Sequence, residues 1–287
     1  MAQLNRWKMT FLLSGALSLT LSGCSYIQQY MPSDRHESSD QSDQSGAGSQ
    51  QQAEKNDQSK TKTNSKPTQQ QKWDVPDRFL LKNTIKTTPE GKRVVTNPAS
   101  LLVCADKKRN LPADYEPKNL VIPDVYFPYG KNAKREKMHM RKVAAEALEQ
   151  LFAAAKQDGI RLMAISGYRS YERQVSVFNW HVSQKGSVEK ANRVSARPGQ
   201  SEHQTGLSMD ISSEQIGPDL TQKFGDTKAG KWVAAHAAEY GFILRYPPGK
   251  EAITGYEYEP WHLRYVGKQP AETIANHHLT LEEYLSE

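Results

Sequence analysis

Between Lys134 and Asp158, Val143, Ala144, Ala147, Leu148, Leu151, Phe152 and Ala155 recur at helical spacing, and Gly159 stands where a C-terminal cap belongs. That pattern predicts an amphipathic helix. Ile160 to Ile165 is a short, mostly apolar run suited to a buried strand, and a second helix is expected from Tyr171 to about Gln184, with Ser170 as N-cap and Gly186 beyond its end. A third helix is predicted over Lys228 to Tyr240, a strand over Phe242 to Tyr246, and a turn at Pro247-Pro248-Gly249. Thr280 followed by Glu283 forms a capping box opening a short terminal helix. Upstream, Arg78 to Gly130 holds only short apolar runs broken by Pro, Asn and Gly, which predicts strands and extended loops, with Cys104 a buried strand residue after Leu101-Leu102-Val103. The order of these elements implies an α+β domain: a small antiparallel sheet flanked by helices.

The polar stretches divide the chain. From Ser33 to about Gln71 the residues are almost all Ser, Gln, Asp, Lys, Asn, Gly and Thr, a composition that cannot supply a core and reads as a disordered tether. Before it, Arg6 and Lys8 precede an uncharged Leu-rich run from Met9 to Thr20, too short for a lasting span but suited to a signal peptide. Leu21-Ser22-Gly23-Cys24 closes that run and resembles a bacterial lipobox, in which Cys24 is lipidated. The expected organisation is a lipoprotein signal peptide over 1–23, lipidated Cys24 and linker over 24–72, and one compact domain over 73–287. The net charge of +6 comes from scattered basic residues without a recognition motif, so it does not indicate nucleic acid. Cys104 is the only other cysteine, which excludes a disulfide between structural cysteines.

Two short segments carry candidate chemistry. Ser201-Glu202-His203-Gln204-Thr205-Gly206-Leu207-Ser208-Met209-Asp210 supplies a His and an Asp, and Glu259-Pro260-Trp261-His262 supplies a second His behind a Glu. Two His and one Asp can hold a catalytic zinc with a coordination position left open, and Glu259 can serve as base for water there. On one unbroken strand His203 and Asp210 would face opposite sides. A break at Gly206 lets His203 sit on a loop and Asp210 on a strand over Leu207 to Ile211, and Pro260 separates Glu259 from His262 in the same way. Trp261, Leu263 and Tyr265 alternate with His262, Arg264 and Val266, so His262 and Arg264 share a strand face. Taken alone, His203 in its Gln/Thr/Gly-rich loop reads as a surface residue, and His262 between Trp and Leu reads as a satisfied core side chain. Asp210, between Met209 and Ile211, needs a partner or a metal.

Ser166-Gly167-Tyr168-Arg169-Ser170, the run from Ala196 to Asp210, and Glu259 to Gly267 together resemble the VanY-type D-alanyl-D-alanine carboxypeptidases, a family that includes related LD-carboxypeptidases of peptidoglycan. The likeness spans about Leu101 to Gly267, and Leu111 to Pro117 resembles the usual domain opening. The resemblance implies one zinc held by His203, Asp210 and His262, Glu259 as catalytic base, and Arg169 stabilising the oxyanion. It puts Ser201 and Gln174 where substrate contacts are expected, and Tyr168 and Trp261 are expected near the site. Ser201, Arg197 and backbone N–H groups are candidates for the substrate's free carboxylate. The implied activity is removal of the C-terminal D-alanine from peptidoglycan stem peptides. An endopeptidase of the same chemistry or a non-catalytic wall-binding module are the alternatives. The expected setting is a monomer, lipid-anchored through Cys24 to the outer face of the bacterial cytoplasmic membrane and facing the wall.

Overall fold

A computed structural model describes residues 73–130 and 133–286; the segments expected as signal peptide and linker, with Cys24, lie outside the described residues. The strands are β1 (Ile85–Thr87), β2 (Arg93–Val95), β3 (Leu120–Val121), β4 (Met140–Arg141), β5 (Leu162–Ser166), β6 (Ser208–Ser213), β7 (Phe242–Leu244) and β8 (His262–Tyr265). The helices are α1 (Lys142–Gln157), α2 (Tyr171–Lys185), α3 (Val188–Val194), α4 (Lys223–Asp226), α5 (Lys228–His236), α6 (Glu251–Thr254), α7 (Lys268–Asn276) and α8 (Leu281–Leu285). Strands β5, β6, β8 and β7 pair in that order as an antiparallel sheet, and β1–β2 and β3–β4 form separate two-stranded ribbons.

Period-two alternation gives the sheet two different faces. Met209, Ile211, Leu263 and Phe242 join Ala144, Leu148, Leu151 and Ala155 of α1 in the main apolar core. Truncating a fully buried Leu there, such as Leu148 or Leu151, costs about 2–5 kcal/mol. On the other face the register sets Ser166 beside Asp210 and Asp210 beside His262, with Ser208 beside Arg264. A bulge between Ala164 and Ser166 brings Ser166 level with Asp210. A second apolar cluster joins Leu80, Leu81, Leu102 and Cys104 to Ile243, Ile274, Leu281 and Leu285, so the segment from Leu80 to Cys104 and the last two helices pack together beside β7.

Helix α1 begins at Lys142, because the residues before it form a 3₁₀ turn (Glu136–Met138) and then β4. Helix α2 has its predicted Ser170 cap, whose side chain accepts from the Arg173 N–H, and ends at left-handed Gly186. The Thr280–Glu283 capping box is formed in full. Leu101–Cys104 differs from expectation: Cys104 is buried but lies in no strand. The Leu101 and Val103 carbonyls are instead taken by the Arg264 guanidinium, at 2.9 and 2.7 Å.

Candidate metal centre

The break at Gly206 is real. Glu202–Thr205 forms a 3₁₀ turn closed by Gly206 at φ +66°, after which β6 begins at Ser208. A side chain at Gly206 would be strained by that φ, and its Cβ would come within 3.0 Å of Leu120 Cδ2. Glu259 and His262 are joined by a tight turn, with the His262 N–H donating to the Glu259 carbonyl at 3.2 Å, so the Glu side chain lies beside β8 rather than along it.

These two breaks converge three ligand types. His203, Asp210 and His262 are all buried, and one ligand atom from each lies within 4.8 Å of the other two. His203 Nε2 is 3.3 Å from Asp210 Oδ2, and His262 Nδ1 is 2.9 Å from Asp210 Oδ1. The two rings meet edge to face with centroids 5.0 Å apart. His203 Nδ1 bonds the Gly167 carbonyl at 2.8 Å, which requires a proton on Nδ1 and leaves the Nε2 lone pair facing the Asp210 carboxylate. Two acceptors aimed at each other need a cation between them, and a two-nitrogen, one-oxygen donor set suits zinc. The residues fit that metal. A second cluster, Cys104, Asp106 and Glu282, has a similar spacing, but Arg245 Nη2 is already 2.6 Å from Glu282 and Arg109 pairs with Asp106, so it carries its own cations.

The electrostatics follow from burial and proximity. Burial opposes ionisation of Asp210, yet His203 and His262 hold its carboxyl well below the usual carboxylate range. Burial likewise opposes a charge on His262, but the bond to Asp210 and the nearby Glu202 raise it to about 9. Glu259, 4.0 Å from His262 Nδ1, is raised by burial to about 7.

The metal-free site therefore favours a proton on His262. Because the folded value of His262 exceeds the ordinary 6.5, its protonated form stabilises the metal-free fold below about pH 6.5, and that contribution is lost as pH rises through about 9. Zinc must displace that proton. Zinc affinity is expected to rise about tenfold per pH unit up to that range, with about one proton released per zinc near pH 7. Calorimetry in buffers of different ionisation enthalpy measures this, and a pH-independent affinity would contradict the ligand role of His262.

The site opens into a cavity of about 400 Å³ whose lining includes Arg169, Ser201, Glu259 and Trp261 beside the three ligands. Arg169 is fixed by Gln174 Oε1 at 2.9 Å and Ser166 Oγ at 3.1 Å. Gln174 is buried beneath it, its amide donating to the Ala196 carbonyl at 2.7 Å, and does not line the cavity. Tyr168 is buried outside the lining, and Arg197 is exposed and also outside it. Tyr246 and Tyr256 do line it, stacked at 4.4 Å, with Tyr246 5.0 Å from the His262 ring. Glu202, Arg245 and Arg264, all buried, were not expected from the sequence; Glu202 reaches the cavity lining and the two arginines lie behind it. One signal was available: an Arg sharing a strand face with a buried His requires a carboxylate nearby.

Residues 137–268 match the family model described as VanY, D-alanyl-D-alanine carboxypeptidase. The chain is 53% identical over 202 residues to "Putative carboxypeptidase YodJ" of Bacillus subtilis, covering 70% of this chain and 72% of that protein. It is similar to the solved LD-carboxypeptidase LdcB, at 53% identity and TM-score 0.66, over 70% of this chain and 92% of that one. It is also similar to a mutant of the vancomycin-resistance D,D-pentapeptidase VanY in complex with Zn(II), at 34% identity and TM-score 0.52, over 64% of this chain and 98% of that one.

Proposed function

Since the chain belongs to the VanY family of D-alanyl-D-alanine carboxypeptidases, we propose that it is a zinc carboxypeptidase removing the C-terminal D-alanine from peptidoglycan stem peptides. The observation that carries this reading is the convergence of His203, Asp210 and His262 within 4.8 Å, with Glu259 beside them at the mouth of the cavity. Bound there, zinc supplies Lewis acidity and lowers the pKa of water at neutral pH.

The chain's own residues account for the remaining chemistry. Glu259 accepts the proton of the attacking water at its carboxylate and returns it to the nitrogen of the departing D-alanine as the peptide C–N bond breaks. Arg169 faces the same cavity and stabilises the charge that develops on the carbonyl oxygen, a contribution of about 3–4 kcal/mol for one fixed donor. Its bonds to Gln174 and Ser166 hold the guanidinium in place before substrate arrives, so Gln174 acts through Arg169. Ser201, buried in the lining, is the candidate for the terminal carboxylate, and Trp261 forms part of the wall.

Identity of 53% to LdcB against 34% to the D,D-pentapeptidase favours the tetrapeptide stem, that is, LD cleavage. Steady-state kinetics on matched tetrapeptide and pentapeptide muropeptides test this. A higher kcat/KM on the tetrapeptide is expected, and a preference for the pentapeptide would reverse the assignment to DD. Export and anchoring through Cys24 complete the reading and place the catalytic domain against the wall. Cys24→Ala should shift the protein from the membrane to the soluble fraction, and unchanged partitioning would put the anchor elsewhere.

A further inference from the structure

Behind the metal site lies a buried chain of charge that the reaction does not use directly. Glu202 is 1% exposed, and Arg245 and Arg264 are fully buried. Glu202 Oε1 accepts from Arg245 Nε at 2.7 Å and from Arg264 Nη1 at 2.5 Å. That leaves Oε2 for the metal-site side, where it lies 3.6 Å from His262 Nε2 and 3.4 Å from Ser208 Oγ. His262 Nε2 is buried and makes no hydrogen bond among the described residues; the carboxylate it faces is Glu202, with Oε2 at 3.6 Å. Arg245 continues away from the site, where Nη1 and Nη2 grip both carboxylate oxygens of Glu282 on α8 at 2.9 and 2.6 Å. Arg264 in turn is anchored to the Leu101 and Val103 carbonyls.

Resting on the reading of His262 as a zinc ligand through Nδ1, we infer that Glu202 is a positioning residue that fixes the His262 ring, and that Arg245 extends this restraint to the C-terminal helix through Glu282. A ligating histidine is oriented by the partner of its other nitrogen, and losing such a partner weakens metal binding about 10- to 100-fold. Two guanidiniums on one oxygen of Glu202 fix the direction of the other, which a single ion pair would not do. The restraint leaves the segment that matches the family model: Glu202, Arg245, His262 and Arg264 fall within 137–268, whereas Glu282, Leu101 and Val103 lie outside it. Helix α8 thus belongs to the metal site although it contributes no ligand.

The test compares the full chain with Glu202→Gln, Glu282→Gln and Glu282→Asp. Zinc Kd is measured by competition with a chromophoric chelator, and the visible spectrum is recorded with Co²⁺ in place of zinc. Glu202→Gln should raise the zinc Kd about 10- to 100-fold and alter the Co²⁺ bands. Glu282→Gln should shift both in the same direction by a smaller amount, and Glu282→Asp should move them back toward wild type. If Glu202→Gln fails to fold, Glu282→Gln decides, because its amide oxygen still accepts from Arg245. Variants with wild-type zinc Kd and Co²⁺ spectrum would overturn the inference even if their Tm fell, since the network would then hold only the fold. A wild-type chain that took up no zinc would overturn it together with the reading it rests on.

Discussion

Glu259→Gln is expected to lower kcat by about 10²–10⁴-fold while the protein keeps its zinc, because general-base catalysis contributes that range and none of the ligands is changed. The substitution keeps the shape of a side chain that is 17% exposed at the cavity wall, so substrate access should be little altered and KM should move far less than kcat. What Gln cannot do is take a proton. Burial raises Glu259 to about 7, Asp210 adds to the rise, and His262 and Lys107 oppose it, which makes the carboxylate a competent base near neutral pH. Since the base works only when ionised, kcat/KM should rise with pH through the Glu259 titration. A bound cation beside it favours the ionised form, so in the zinc enzyme that limb should fall below pH 7. A variant retaining kcat within tenfold of wild type would remove Glu259 from its role.

His262→Ala should abolish both zinc retention and activity. Four-ligand structural sites bind zinc with about 10–16 kcal/mol, or roughly 2.5–4 kcal/mol per ligand, so losing one of three weakens binding by about two to three orders of magnitude. The fold should survive. Glu202 keeps its ion pairs with Arg245 and Arg264, whereas Asp210 loses its bond to His262 Nδ1, so the variant should fold with reduced stability. Metal analysis and circular dichroism on the same sample separate the two effects. A folded variant that still carried one zinc per chain would mean that the ligand set is drawn wrongly.

Features governed by local rules were legible in the sequence. The alternation around His262 identified β8, the Gly after the first His explained how His203 and Asp210 could meet, and Ser170 and Thr280 announced helix starts that the structure contains. These depend on periodicity, glycine conformation and side-chain capping within a few residues. What stayed hidden depends on distant partners. Glu202 meets Arg245 and Arg264 across 43 and 62 residues, and Arg245 meets Glu282 across 37, separations that no window of local pattern covers. Leu101–Cys104 looked like a strand because it is apolar, but two of its carbonyls are claimed by a guanidinium instead of a neighbouring strand. Gln174 and Tyr168 sit close in sequence to Arg169 but away from the cavity wall: one supports the guanidinium, and the other is buried in the turn with its N–H on the His139 carbonyl.

Mass spectrometry of muropeptides incubated with the purified chain tests the central claim most directly. Tetrapeptide and pentapeptide stems are each offered to untreated, chelator-treated and zinc-restored protein. A stem should lose the mass of one alanine residue, chelation should stop the loss, and zinc should restore it. Zinc-loaded protein that leaves both stems intact, or trimming that continues unchanged after the metal has been stripped, would contradict that claim.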